Sequence, residues 1–243
     1  MVNHGRIVEN PLIHLLYNTL AWHVPFIHIY QYDSSNMIRI VLLFAFLLST
    51  CHAAIRDFCV ADLNATITPS GYPCKSPETV TVNDFVFSSL QAGNPSGMFK
   101  FAFSPALVAQ LPGLNGLGLS VARLDLDAGG ATPMHSHADA SEVILVVEGQ
   151  ITAGFISSDN SVFVETLSQG DLMVFPRGLL HFQINAFKGT SAAYLIFSDP
   201  NPAAQIVDAT LFGNNLDSSF VAKTTLLDRG QIKKLKAAFG GTD

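Results

Sequence analysis

The stretch HSHADASE brings together three side chains that bind divalent metal ions, His135, His137 and Glu142, and a further imidazole, His181, follows later in the chain. A lone histidine is ordinarily a solvent-facing or hydrogen-bonded side chain. The distribution argues for more here. Of eight histidines, His4, His14, His23, His28 and His52 all fall in the first part of the chain, leaving only these three for the remainder. Residues i and i+2 of a strand face the same way, so His135 and His137 would point together. Glu142 can swing a carboxylate to the same point, and closure of a barrel could bring His181 opposite. Three neutral imidazoles and one carboxylate fill four positions around a divalent ion. An octahedral ion would keep two positions open for water or substrate. Imidazoles suit Fe, Zn, Cu or Ni, whereas the carboxylate and open positions shift the balance toward Mn or Fe.

The elements that must position these groups read as short strands. LGLSVARLDLDAGG alternates, with Leu117, Leu119 and Val121 on one side and Ala122, Leu124 and Leu126 on the other, and stops at Gly129-Gly130. EVILVVEGQITAGFI is two apolar runs meeting at Glu148-Gly149-Gln150, which predicts a hairpin. Further strands break at Gly170-Asp171 and at Pro176-Arg177-Gly178, and SAAYLIFS follows as a buried strand. Arg177 either reaches a cavity mouth or caps its turn, the turn being favoured. Short strands at this spacing predict one all-β barrel or jelly roll rather than βαβ units. The tail differs: Ile232, Leu235 and Phe239 recur at helical spacing between Asp228, a candidate N-cap, and Gly240, a candidate stop. That stripe is a small core contact or a subunit contact, and Lys233, Lys234 and Lys236 form a solvated face.

The ends of the chain bear on where the protein works. MIRIVLLFAFLLSTCHAA has the three parts of a secretory signal: one positive charge at Arg39, an apolar run from Ile40 to Leu48, and small residues ending at Ala53. The run is shorter than the about 20 apolar residues that span a bilayer. Residues 37–53 are therefore expected to be a signal peptide, and 1–36 an upstream extension of the reading frame. Cys59 and Cys74 then remain as an even pair, which in a secreted chain reads as a disulfide, free thiols being the weaker alternative. Asn64-Ala65-Thr66 is a glycosylation sequon, whereas proline excludes Asn94-Pro95-Ser96. The net charge of −6, without basic runs interleaved with aromatics, excludes a nucleic-acid partner.

The two boxes that carry the candidate ligands resemble those of germins and germin-like proteins, in the cupin superfamily. The first runs from Gly129 through His135, His137 and Glu142 to Gly149, and the second from Gly170 through Pro176, Gly178 and His181 to Asn185. DFCVADLN, GYPCK and LFG resemble the family's flanking segments, so the resemblance covers essentially residues 54–243. It implies an N-terminal arm over 54–98, a cupin jelly-roll β-barrel over 99–215, and a helical C-terminal segment over 216–243. It also implies a secreted, glycosylated plant protein of the cell wall or apoplast, binding Mn through His135, His137, Glu142 and His181. A homo-oligomer, a hexamer built as a trimer of dimers, is the implied assembly. Asn185 matches a family position and either supports His181 or is a strand-end amide bonded to backbone.

Members that resemble these boxes oxidise oxalate, dismutate superoxide, or serve as auxin-binding or receptor proteins. Oxalate oxidases carry asparagines where this chain has Ala122 and Thr132. A buried dicarboxylate with unpaired oxygens costs a few kcal/mol, so oxalate oxidation is not expected. Superoxide, a small anion, asks less of the protein, although the acidic net charge does not steer anions inward. Superoxide dismutation is the first expectation. A non-enzymatic binding protein for an auxin or another small carboxylate is the second, and the residues around the boxes lean toward the auxin-binding branch.

Overall fold

The computed structural model describes residues 57–243, together with Arg39 and Val41–Leu43, which are helical. The expected signal peptide and upstream extension otherwise lie outside the described residues. The chain divides into two compact units, 1–55 and 56–243, and the second contains both β-sheets.

Two five-stranded antiparallel sheets face each other. The first has the order β1 (Phe101–Ala106), β2 (Ser120–Leu126), β9 (Ser191–Phe197), β4 (Glu142–Glu148), β7 (Leu172–Phe175). The second runs β10 (Gln205–Ile206), β3 (His135–Ser136), β8 (Leu180–Asn185), β5 (Gln150–Ile156), β6 (Val162–Ser168). This is a jelly-roll fold. Alternation decides which side chains enter the core. In the first sheet Ala122 pairs with Leu195 and Leu124 with Ala193, while Ile144 lies opposite both Leu195 and Met173. In the second, Ile151, Ala153 and Leu167 turn inward from β5 and β6. These residues form one continuous core between the sheets.

Four sequence expectations need correction. Glu148-Gly149-Gln150 is not a hairpin, because β4 and β5 belong to different sheets. Each already has partners on both sides, β9 and β7 for β4, and β8 and β6 for β5. Gly149 instead carries the chain from one sheet to the other at φ +71°, where a Cβ would collide with Ser191 and Thr190. Leu117 and Leu119 precede the strand and are exposed, because Gly116 and Gly118 take positive φ before the ladder starts at Ser120. Asn185 does not reach His181. It lies two pleats further along β8, about 13 Å away, and its amide instead donates to the carbonyls of Leu126, Asp127 and Gly189.

The fourth correction is in the tail. Asp228 caps α3 (Arg229–Phe239) by accepting from the amides of Gly230 and Gln231, and Gly240 ends it in the left-handed conformation. Ile232 is fully buried against Phe212 of α1 (Val207–Phe212) and Val221 of α2 (Ser218–Thr225), so the apolar stripe builds a small core. Lys236, however, is buried rather than solvated. Its ammonium donates to the carbonyls of Leu216 and Thr242, joining the start of α2 to the end of the chain.

The N-terminal arm is held by the Cys59–Cys74 disulfide. It also reaches the barrel: Val60 and Ala61 are buried, the Ala61 amide donates to Pro112 O, and the Asn115 side-chain amide donates to Tyr72 O. Among the described residues no helix is long and apolar enough to cross a membrane.

Candidate metal centre

Strands from both sheets converge on one point inside the barrel. β3 contributes His135, His137 follows immediately after that strand, β4 opens with Glu142, and β8 presents His181 directly opposite His135. One ligand atom from each lies within 4.8 Å of the others, and all four residues are buried. The four residues singled out from the sequence are thus brought together.

Each imidazole is oriented from behind. The Nδ1 atoms of His135, His137 and His181 lie 2.8, 2.9 and 2.9 Å from the carbonyls of Pro133, Ala203 and Leu179. A carbonyl can only accept, so every Nδ1 carries a proton and every neutral ring turns a bare Nε2 inward. The His181 ring also stacks on Phe175, with centroids 4.7 Å apart. The loop after His137 is pinned by Gly178, whose amide donates to His137 O, and by Arg177, whose guanidinium donates to Ala138 O. Arg177 thus does not line the cavity, and its guanidinium bonds across to the loop after His137 rather than within the Pro176–Gly178 turn.

This arrangement fits a cation. Glu142 Oε2 stands 3.2 Å from His137 Nε2 and 3.3 Å from His181 Nε2. In the neutral tautomers these are lone pairs facing a carboxylate, which is repulsive unless a proton or metal ion lies between them. His137 Nε2 is buried without a hydrogen-bond partner. Protons are a poor substitute at His135: burial, and then the charge on His181, depress its pKa to about 4. Burial pushes the Glu142 carboxyl up, but its close contacts with the His137 and His181 rings outweigh that and hold it down at about 2. Burial likewise depresses His137, yet the adjacent Glu142 carboxylate prevails and raises it. The site thus holds one carboxylate charge beside an imidazole, His135, that resists protonation.

Sequence reasoning missed Gln183. Fully buried on β8, it donates from Nε2 to Glu142 Oε1 at 3.0 Å, and it bonds to Thr132. The i+2 spacing from His181 was the available signal, since it places Gln183 on the same inward face. Ala122 is a core residue of β2, and the Thr132 hydroxyl is engaged by Gln183.

The cluster opens onto a cavity of about 360 Å³ walled by Phe101, Phe103, Leu107, Leu195, Phe197 and Ile206, among others. Apart from His135, His137 and Glu142, Thr132 carries the only polar side chain lining it among the described residues.

A two-sheet jelly roll with three histidines and a glutamate converging inside it defines a cupin, and residues 88–233 match the Cupin family. The chain belongs to this family, within its germin-like branch. It is 52% identical to germin-like protein subfamily 3 member 1 of Arabidopsis thaliana, covering 85% of this chain and 100% of the relative. It is 56% identical to auxin-binding protein ABP19b of Prunus persica, over 82% of this chain and 96% of that one. Among solved structures it is similar to an oxalate oxidase in complex with the substrate analogue glycolate. There the TM-score is 0.73 at 32% identity, covering 76% of this chain and 96% of the other.

Proposed function

We propose that this germin-like protein binds manganese through His135, His137, Glu142 and His181 and dismutates superoxide to hydrogen peroxide in the plant apoplast or cell wall. The observation that carries the reading is the buried cluster of three inward Nε2 atoms and one carboxylate at the base of an apolar cavity. A bound manganese ion supplies one-electron chemistry in both directions, which dismutation requires. The chain's own part is to keep the imidazoles neutral and aimed, to hold one compensating charge on Glu142, and to admit a small anion while offering nothing to a larger polar one. The carboxylate beside the imidazoles favours manganese or iron over zinc, and the resemblance to germins is what selects manganese between the two.

Oxalate oxidation is disfavoured on the same residues. Ala122 has no donor, and the Thr132 hydroxyl gives its proton to Gln183, so a second carboxylate would lie unpaired against an apolar wall. The second reading is a non-enzymatic protein that binds an auxin or another small carboxylate. The apolar cavity and the names of the Prunus persica relatives favour it. The remaining parts of the proposal are a signal peptide over 37–53, secretion, a glycan on the exposed Asn64, the boundaries 54–98, 99–215 and 216–243, and assembly into a hexamer.

The test is superoxide dismutation by the Mn-loaded protein beside His137→Ala, normalised to bound metal. Activity that follows metal content and vanishes in the variant supports the enzyme reading. A native protein with a full complement of Mn that does no better than free Mn ion sinks it, and small aromatic and dicarboxylic acids are then the ligands to try.

A further inference from the structure

We infer that Thr132 and Gln183 form a positioning pair that fixes which oxygen of Glu142 is offered to the metal; this rests on the metal-site reading above. The hydrogen bonds admit one consistent direction. Thr132 Oγ accepts from the Gln183 backbone amide at 2.9 Å, so its own proton is free to donate to Gln183 Oε1. The side-chain amide then has its oxygen toward Thr132 and its NH₂ toward Glu142. Its Nε2 donates to Glu142 Oε1 at 3.0 Å. The backbones of the two residues are joined as well, since the Thr132 amide donates to Gln183 O at 2.9 Å.

The consequence falls on Glu142. Oε1 is tied to Gln183, while Oε2 faces His137 and His181. Only Oε2 is left for an ion. Glu142 and Gln183 are both buried, so without the Gln183 donor no other side chain holds Oε1 and the carboxylate would be free to rotate. Gln183 acts on the ion through Glu142, and Thr132 acts through Gln183.

The test is Mn(II) affinity, measured by competition with a chelating dye, for the native protein, Thr132→Val, Thr132→Ser and Gln183→Leu. Valine keeps the shape of threonine without its hydroxyl, and serine keeps the hydroxyl. Gln183→Leu is expected to weaken Mn(II) binding about 10–100-fold and Thr132→Val about threefold to tenfold, with Thr132→Ser close to native. Urea unfolding of the metal-free proteins supplies a second arm: Thr132→Val should shift the midpoint less in the Gln183→Leu background than in the native one, the remaining shift being the Gln183 backbone amide that Thr132 Oγ accepts. Native-like affinity in both Thr132→Val and Gln183→Leu overturns the pairing, as does a serine variant as weak as the valine one. If the native protein takes up no Mn(II), the metal reading fails. The unfolding arm then decides alone, with additive midpoints overturning the pair and non-additive ones upholding it.

Discussion

Acid should destabilise the metal-free protein through His135 in a window set by its burial. Its pKa falls from 6.5 to about 4 because the ring is buried and lies beside His181. In the unfolded chain it returns to about 6.5. The unfolded state therefore takes up the proton first, so the contribution is intact above about pH 6.5 and is lost as pH falls toward 4. A difference of about 2.5 units at about 1.36 kcal/mol each is about 3 kcal/mol, most of it gone by about pH 4.5. His137 has the opposite sign. Its raised pKa contributes stability that is present below the unfolded value and fades as pH rises through the folded one, which offsets part of the loss. Glu142, depressed to about 2, loses its own contribution only below about pH 4.5. The assay is urea unfolding of the metal-free protein at pH 7 and pH 4.5, native beside His135→Leu. The native protein should lose about 2–3 kcal/mol more than the variant. Equal pH dependence in the two would refute the assignment of the window to His135. Saturating metal should lift the native protein at pH 7 by about 2.7 kcal/mol at a hundredfold excess over Kd.

Three further outcomes are expected. Reduction of Cys59–Cys74, or replacement of both by alanine, should cost about 3 kcal/mol in calorimetric or urea unfolding, because the bond closes a loop of sequence separation 15. Lys236→Met should cost about 2 kcal/mol, measured by urea midpoint, since the carbonyls of Leu216 and Thr242 lose a charged donor in a buried place. Arg177→Ala should weaken Mn(II) binding about fivefold in the dye competition, the equivalent of about 1 kcal/mol for the hydrogen bond that pins the loop after His137.

Much of the site was legible in the sequence because its signals are local. The i, i+2 placement of His135 and His137 follows from the period of a strand, and alternation in SVARLDL marked Ala122, Leu124 and Leu126 as one face of β2. Asp228 and Gly240 bound α3 through hydrogen bonds and dihedral angles that span only a few residues. The paired boxes identified the family, and with it the meeting of His181 with the other ligands. What failed was whatever depends on partners distant in the chain. EVILVVEGQITAGFI looks the same whether its two runs pair with each other or pass into opposite sheets, and the strands already flanking them decide. Lys236 has a solvated residue's composition and a buried residue's surroundings, because α3 folds over the carbonyls of Leu216 and Thr242. Gln183 and Thr132 lie far apart in the chain. Their bond exists only because β8 and the segment before β3 are neighbours, and a hydrogen bond's direction is settled by the full set of donors and acceptors around it. Residue types and short spacings determined the ligands and the strands. Tertiary structure alone decided which oxygen of Glu142 faces the histidines.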